Sequence, residues 1–173
     1  SDVYKRQKLY SDLMGPKGLI LGQVKDLSSE NKTLKDILEI HELKTARLIQ
    51  LAFMGSNLLS DKPMAPSICE KLGHALGVNF QLLDDLCELT EEINTHESEI
   101  NPFLHLEQKE IFEVLSSNSE YLKKVIKDNK LFNLQGYINI YFEKINSILS
   151  TDTDKLKRHI NKKYLKYIEN LKV

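Results

Sequence analysis

The sequence predicts an all-α protein of about six helices. Apolar residues recur at helical spacing nearly throughout the chain. No segment alternates apolar with polar residues, and no Asn-Gly pair marks a hairpin. Between the periodic segments stand short clusters of Gly, Pro, Ser, Asn and Asp, the residues that interrupt helices. At 173 residues, 41% hydrophobic and 28% charged, the chain has the size and composition of one globular domain with a real core.

The spacing predicts helices over residues 17–28, 33–59, 66–92, 107–128, 133–149 and 153–171. Breaks are expected at Gly15-Pro16, Ser28-Ser29-Glu30-Asn31, Asp61-Lys62-Pro63, Asn101-Pro102, Asp128-Asn129 and Ser150-Thr151-Asp152. Pro66 suits the first position of the third helix, where a missing N–H is harmless, although Ala65 before it is a poor cap. Thr151 or Thr153 is expected to cap the last helix. Its stretch, KLKRHINKKYLKYIENLKV, holds seven Lys or Arg residues and one acid, and reads as a solvated basic face; a basic tail covering an anion is the sharper option.

The first seven residues, SDVYKRQ, fit none of this pattern. They are what the DNA string TCAGATGTGTATAAGAGACAG encodes, and that string resembles the transposon-end adapter used to prepare sequencing libraries. Residues 1–7 are therefore expected to be non-native, with protein sequence beginning near Lys8.

Several function classes are disfavoured. A net charge of −1 gives no reason to expect nucleic acid or a membrane surface as partner. Cys69 and Cys87 form no CxxC and no zinc or disulfide pattern, so both are expected to be buried free thiols in a reducing, cytoplasmic setting. No apolar run is long enough to span a bilayer.

Six of the seven glycines lie before residue 78, five of them inside predicted helices. A helical glycine costs about 1 kcal/mol relative to alanine. Such glycines imply close backbone approach, by a neighbouring helix or by a ligand. The stretch LGHALGVNFQLLDDLCEL, residues 72–89, concentrates the chemistry. On a helix, Gln81, Asp84, Asp85 and Glu88 occupy one arc about 100° wide, with Gly73 and Gly77 continuing that face one and two turns earlier. Leu76, Leu82, Leu83, Leu86 and Cys87 form the opposite, core-like face. Three carboxylates within little more than one turn repel one another unless a cation sits among them. Their oxygen-only donors suit Mg²⁺, which commonly bridges a carboxylate to a phosphate.

In IHELKTARLIQLAFMGSNLL, residues 40–59, His41, Lys44 and Thr45 share a face above an apolar seam. Lysine and threonine there suit an anion at the top of a cavity. His41 is expected to be a structural helix histidine, since no second histidine lies at ligand spacing.

Three segments now carry a family resemblance. GPKGLILGQVKDL, IHELKTARLI and GHALGVNFQLLDDLCEL resemble, in order and separation, three motifs of the trans-isoprenyl diphosphate (polyprenyl) synthases. The resemblance covers residues 15–90. It implies the isoprenoid synthase helical bundle around a deep apolar cavity, here incomplete, with residues 8–173 its C-terminal part. It implies that Asp84, Asp85 and Glu88 hold Mg²⁺ against an allylic diphosphate, with Glu88 standing where the family has Asp. Lys44 matches the lysine that grips that diphosphate. Thr45 and Gln81 match residues facing the developing allylic cation. Phe80 matches the aromatic beside the homoallylic substrate, isopentenyl diphosphate, while Gln23 and Asp26 take a supporting role. The intact parent is expected to be a homodimer.

Two departures follow. The family uses a first aspartate-rich motif on a facing helix, and this sequence holds only one such motif. After Glu88 many members continue with a Gly-Lys-x-x-Gly-x-Asp loop, whereas TEEINTHESEINPFLHLEQKEIFEVL has none, and past residue 92 only helical character is shared. The chain is therefore expected to be a fragment that is inactive alone. The alternative is a non-catalytic short relative acting as a regulatory or partner subunit. A ligand-free helical interaction module is disfavoured by the embedded acids, because uncompensated charge in a packed bundle is costly. Squalene- and phytoene-type synthases share the fold, but the Lys-Thr and Phe-Gln pairs fit the chain-elongating branch better.

Overall fold

A computed structural model describes residues 2–28, 33–91 and 101–169. Those residues form helices joined by turns, with no strand among them. In order they are α1 (Asp2–Met14), α2 (Leu19–Ser28), α3 (Leu34–His41), a single π-helical segment (Glu42–Ala46), α4 (Arg47–Asn57), α5 (Pro66–Glu88), α6 (Pro102–His105), α7 (Gln108–Asp128), α8 (Phe132–Thr151), α9 (Thr153–His159) and α10 (Lys162–Glu169). The chain divides into two compact units, Ser1–Gln81 and Leu82–Val173.

The first unit holds α1 to α4 and most of α5. Its opening helix was not expected; α1 is polar and packs on α4. The segment predicted as one helix over 33–59 is interrupted at Glu42–Ala46, where the backbone widens to π geometry. Thr33 stands outside α3 as its cap. Its Oγ1 accepts from Asp36 N–H at 3.3 Å while its own N–H donates to Asp36 Oδ2 at 2.9 Å, a reciprocal capping box. The Thr33 hydroxyl also donates to Asp36 Oδ2 at 2.5 Å, and this bond, followed by the one from Thr33 N–H, holds the Asp36 carboxyl below its usual range. After α4 the loop containing Asp61-Lys62-Pro63 is stapled by Asn57. Its Nδ2 donates to Met64 O at 2.9 Å and its Oδ1 accepts from Met64 N–H at 2.7 Å. The predicted break at Ser29-Glu30-Asn31 lies outside the described residues.

Pro66 opens α5 as expected, and the helix ends at Glu88, four residues earlier than the spacing suggested. The chain then tightens: Leu89 N–H bonds to Leu86 O, Thr90 N–H to Cys87 O, and Thr90 Oγ1 also donates to Cys87 O at 2.8 Å.

In the second unit, α7 ends where Asp128-Asn129 predicted, but the left-handed residue is Lys130 (φ 54°). Leu131 N–H reaches back to Ile126 O at 2.9 Å, closing a Schellman-type end. The final predicted helix is two helices. Asp152, not either threonine, caps α9 by accepting from Lys155 N–H at 3.0 Å. The chain then breaks at Ile160, which is buried. Gln108 makes the break tolerable: its Nε2 donates to His159 O at 2.6 Å and its Oε1 accepts from Asn161 N–H at 3.0 Å. The predicted end near Leu171 lies outside the described residues. An aromatic cluster joins the aliphatic core here. Phe112 stacks on Tyr164 (4.4 Å, 7°) and meets Phe103 and Tyr167 edge-on at 5.6 and 5.7 Å. Lys163 lies 4.6 Å above the Tyr164 ring, and Lys155 and Lys157 pair with Asp152 and Asp154. The basic stretch thus has local partners, as a surface helix would.

Candidate active site

Three glycines set the backbone around the candidate residues of the first unit. A Cβ on Gly22 would lie 2.8 Å from Lys44 N and from Leu43 Cβ; one on Gly73 would lie 2.6 Å from Gln50 Cα; one on Gly77 would lie 2.4 Å from Ala46 Cα. All three would strike backbone or its first side-chain atom. The sequence left open whether a helix or a ligand demands these glycines, and at these positions a helix does. They bring α2 and α5 into backbone contact with the π segment and the start of α4. Gly55 has nothing near it and serves no such contact.

The π segment carries Lys44 and Thr45. Nothing in the residue spacing announces its extra residue per turn, yet π turns recur at functional sites because they re-aim side chains. Here Lys44 Nζ forms an ion pair with Asp26 Oδ2 of α2, with both side chains partly exposed. Thr45 Oγ1 donates to Gln81 Oε1 of α5 at 2.9 Å. Asp26, assigned only a supporting role by resemblance, thus has a defined one: it fixes the lysine. Gln23 and Phe80 are exposed. His41 is buried in the last turn of α3.

A second polar network stabilises this arrangement and was missed from sequence. Gln50 is 2% exposed; its Nε2 donates to Glu70 O at 3.0 Å and its Oε1 accepts from Arg47 Nη1 at 3.2 Å. Arg47 in turn pairs with Glu42 at 3.0 Å. The only available signal was a glutamine and an arginine three residues apart in a helix opposite Gly73.

In the second unit, the acids separate by exposure. Asp84 is exposed, Asp85 buried and Glu88 half-buried. Successive residues point about 100° apart, so Asp85 turns inward while Asp84 does not. Leu82, Leu83, Leu86 and Cys87 are buried as predicted, and Leu76 is half-buried. The Cys87 thiol is pushed up to about 12, first by burial and then by Asp84, Glu91 and Glu88. Burial also raises Cys69, and both cysteines are free. Tyr141 of α8 is raised by burial and by Cys87 and Asp84, which puts its ring within the field of the acidic turn.

Among the described residues, no three His, Cys, Asp or Glu side chains form a ready-made metal cage. Asp84 and Glu88, one turn apart, are instead suited to a Mg²⁺ that retains waters and is completed by phosphate oxygens.

Residues 6–100 match the family model described as polyprenyl synthetase. This chain belongs to the polyprenyl synthetase family. It is 33% identical over 91 residues to the farnesyl diphosphate synthase of Bacillus subtilis (strain 168), covering 49% of this chain and 31% of that protein. It is 30% identical over 147 residues to the farnesyl diphosphate synthase of Buchnera aphidicola subsp. Schizaphis graminum (strain Sg), covering 75% and 49%. Geranylgeranyl pyrophosphate synthase 12, chloroplastic, of Arabidopsis thaliana is 36% identical over 84 residues, covering 45% and 23%. The chain thus spans between about a third and a half of the two farnesyl diphosphate synthases. A likeness covering 75% of the chain reaches past residue 92, so polyprenyl synthetase character extends further than the motifs alone indicated. No helix among the described residues is long and apolar enough to cross a membrane.

Proposed function

We propose that this chain carries the diphosphate-binding half of a prenyltransferase site, which in the intact parent joins isopentenyl diphosphate to an allylic diphosphate. The observation that supports this reading most directly is the Thr45–Gln81 hydrogen bond, set beside the Asp26-bound Lys44. Thr45 spends its only hydrogen on Gln81 Oε1. The Thr45 oxygen then presents a negative dipole end with no hydrogen to offer, which suits a developing carbocation. Lys44 supplies a compact cation for a diphosphate oxygen, and Asp26 keeps its long side chain from wandering.

Asp84 and Glu88 are the residues that would hold Mg²⁺, which when bound would offset charge on the departing diphosphate, while Asp85 is turned inward. Condensation also needs a first aspartate-rich motif, which the sequence does not contain. The reading therefore expects the 173 residues to bind diphosphate without turning over.

The test is Mg²⁺-dependent binding of a non-reactive allylic diphosphate analogue by the wild-type chain, Asp84→Ala and Lys44→Ala. Each substitution is expected to weaken binding about tenfold or more, the loss of a charge-assisted contact. Equal binding by all three removes the site assignment. The other reading, a non-catalytic partner subunit, draws on Glu88 standing in place of Asp; it expects no Mg²⁺ dependence.

A further inference from the structure

The side chain of Asn101 holds the last turn of α5 from outside the helix. It is 2% exposed, and both hydrogens of its amide are engaged. Nδ2 donates to the main-chain oxygen of Asp85 at 2.6 Å and to Glu88 Oε2 at 3.1 Å. Oδ1 accepts from Phe103 N–H at 3.1 Å, capping α6 with Pro102 at its first position. The amide has one workable sense. Turned over, its oxygen would face two oxygens and its NH₂ would face an N–H. Asp85 O needs this donor, because Leu89 N–H goes to Leu86 O at 3.3 Å instead.

Resting on the function proposed above, we propose that Asn101 is a positioning residue for the metal–diphosphate site. It pins Glu88 and so lets a glutamate serve where the family pattern has aspartate. Glutamate carries one more methylene and one more rotatable bond than aspartate. Unrestrained, its carboxylate must be ordered as it meets the metal, at a cost in rotamer entropy. Tying Oε2 to a buried amide orders it beforehand. The same amide ties the Asp85 backbone, so the residues on either side of the acidic turn share one anchor. Partners that orient a metal-binding group in this way commonly change metal affinity 10–100-fold when removed.

The experiment titrates the full chain with Mn²⁺ in place of Mg²⁺, with inorganic pyrophosphate present, and reads free Mn²⁺ by electron paramagnetic resonance. Asn101→Ser keeps a cap for α6 but cannot reach Glu88. It is expected to weaken Mn²⁺ binding about tenfold in the Glu88 protein and less than about threefold beside Glu88→Ala. Equal losses in the two backgrounds would mean a purely structural role and overturn the proposal. Glu88→Asp, which leaves Asn101 intact and needs no cap variant to fold, is expected to bind more weakly than wild type despite restoring the family residue. Binding as tight as wild type by Glu88→Asp overturns the proposal as well. Failure of wild type to bind, or unchanged binding by Asp84→Ala, would instead bring down the functional reading beneath it.

Discussion

In residues 1–81 the tightest contacts are made by glycines. Gly22, Gly73 and Gly77 let backbones meet where any side chain would strike Lys44 N, Gln50 Cα or Ala46 Cα. In residues 82–173 the glycine is Gly136, which has nothing near it, and an aliphatic interior is joined by a cluster of four rings, Phe103, Phe112, Tyr164 and Tyr167. The two regions are stabilised differently because they are asked for different tolerances. Backbone contact fixes the main chain of the π segment that carries Lys44 and Thr45. An aromatic cluster supplies more buried area but tolerates small shifts by rotating rings.

The largest effect expected from this contrast is on stability in the second region. Phe112→Ala removes a ring that is 4% exposed and touches three others, and should cost about 3–5 kcal/mol in urea unfolding. Binding of diphosphate by any protein that remains folded should be little changed. Gly77→Ala reverses the pattern. Its methyl would sit 2.4 Å from Ala46 Cα, so α5 and the π segment must part, at a net cost of about 2 kcal/mol. Diphosphate affinity should fall with it, because the Thr45–Gln81 bond crosses that contact. Gly136→Ala, the same substitution where nothing lies nearby, should stabilise by about 0.5–1 kcal/mol. A destabilising Gly136→Ala, or a neutral Gly77→Ala, would break the comparison.

The last effect is set by pH. The folded Cys87 thiol is raised from an ordinary value near 9.0 to about 12. Burial disfavours its thiolate, so its contribution is fully present below the ordinary thiol range and is lost as pH rises through that window. Urea midpoints should fall between about pH 9 and 12, and Cys87→Val should flatten the decline.

Much of the helical framework was legible because helix periodicity is a local property. Pro66 opening α5, the turn after Asp128 and the buried Leu82–Leu83–Leu86 face all follow from residue type and spacing. Two of the misreadings share one cause. The break at Ile160 and the end of α5 each leave backbone groups that a distant side chain satisfies, Gln108 for the first and Asn101 for the second. Nothing within a few residues of a helix end reports that such a partner exists. The same holds for Gln50, whose carboxamide is satisfied by Arg47 nearby and by Glu70 O twenty residues later.

By itself the sequence determined that the chain is helical, which family it resembles, and which residue types stand at the charged and dipolar positions of the motifs. These are set by composition and by spacing along single helices. Tertiary structure decided why the glycines are there, that Asp26 holds Lys44 and Asn101 holds Glu88, and that Asp85 turns inward while Asp84 does not. The physical reason is that a hydrogen bond or close contact between residues far apart in sequence depends on where two backbones pass. That is fixed by packing and not by either segment alone.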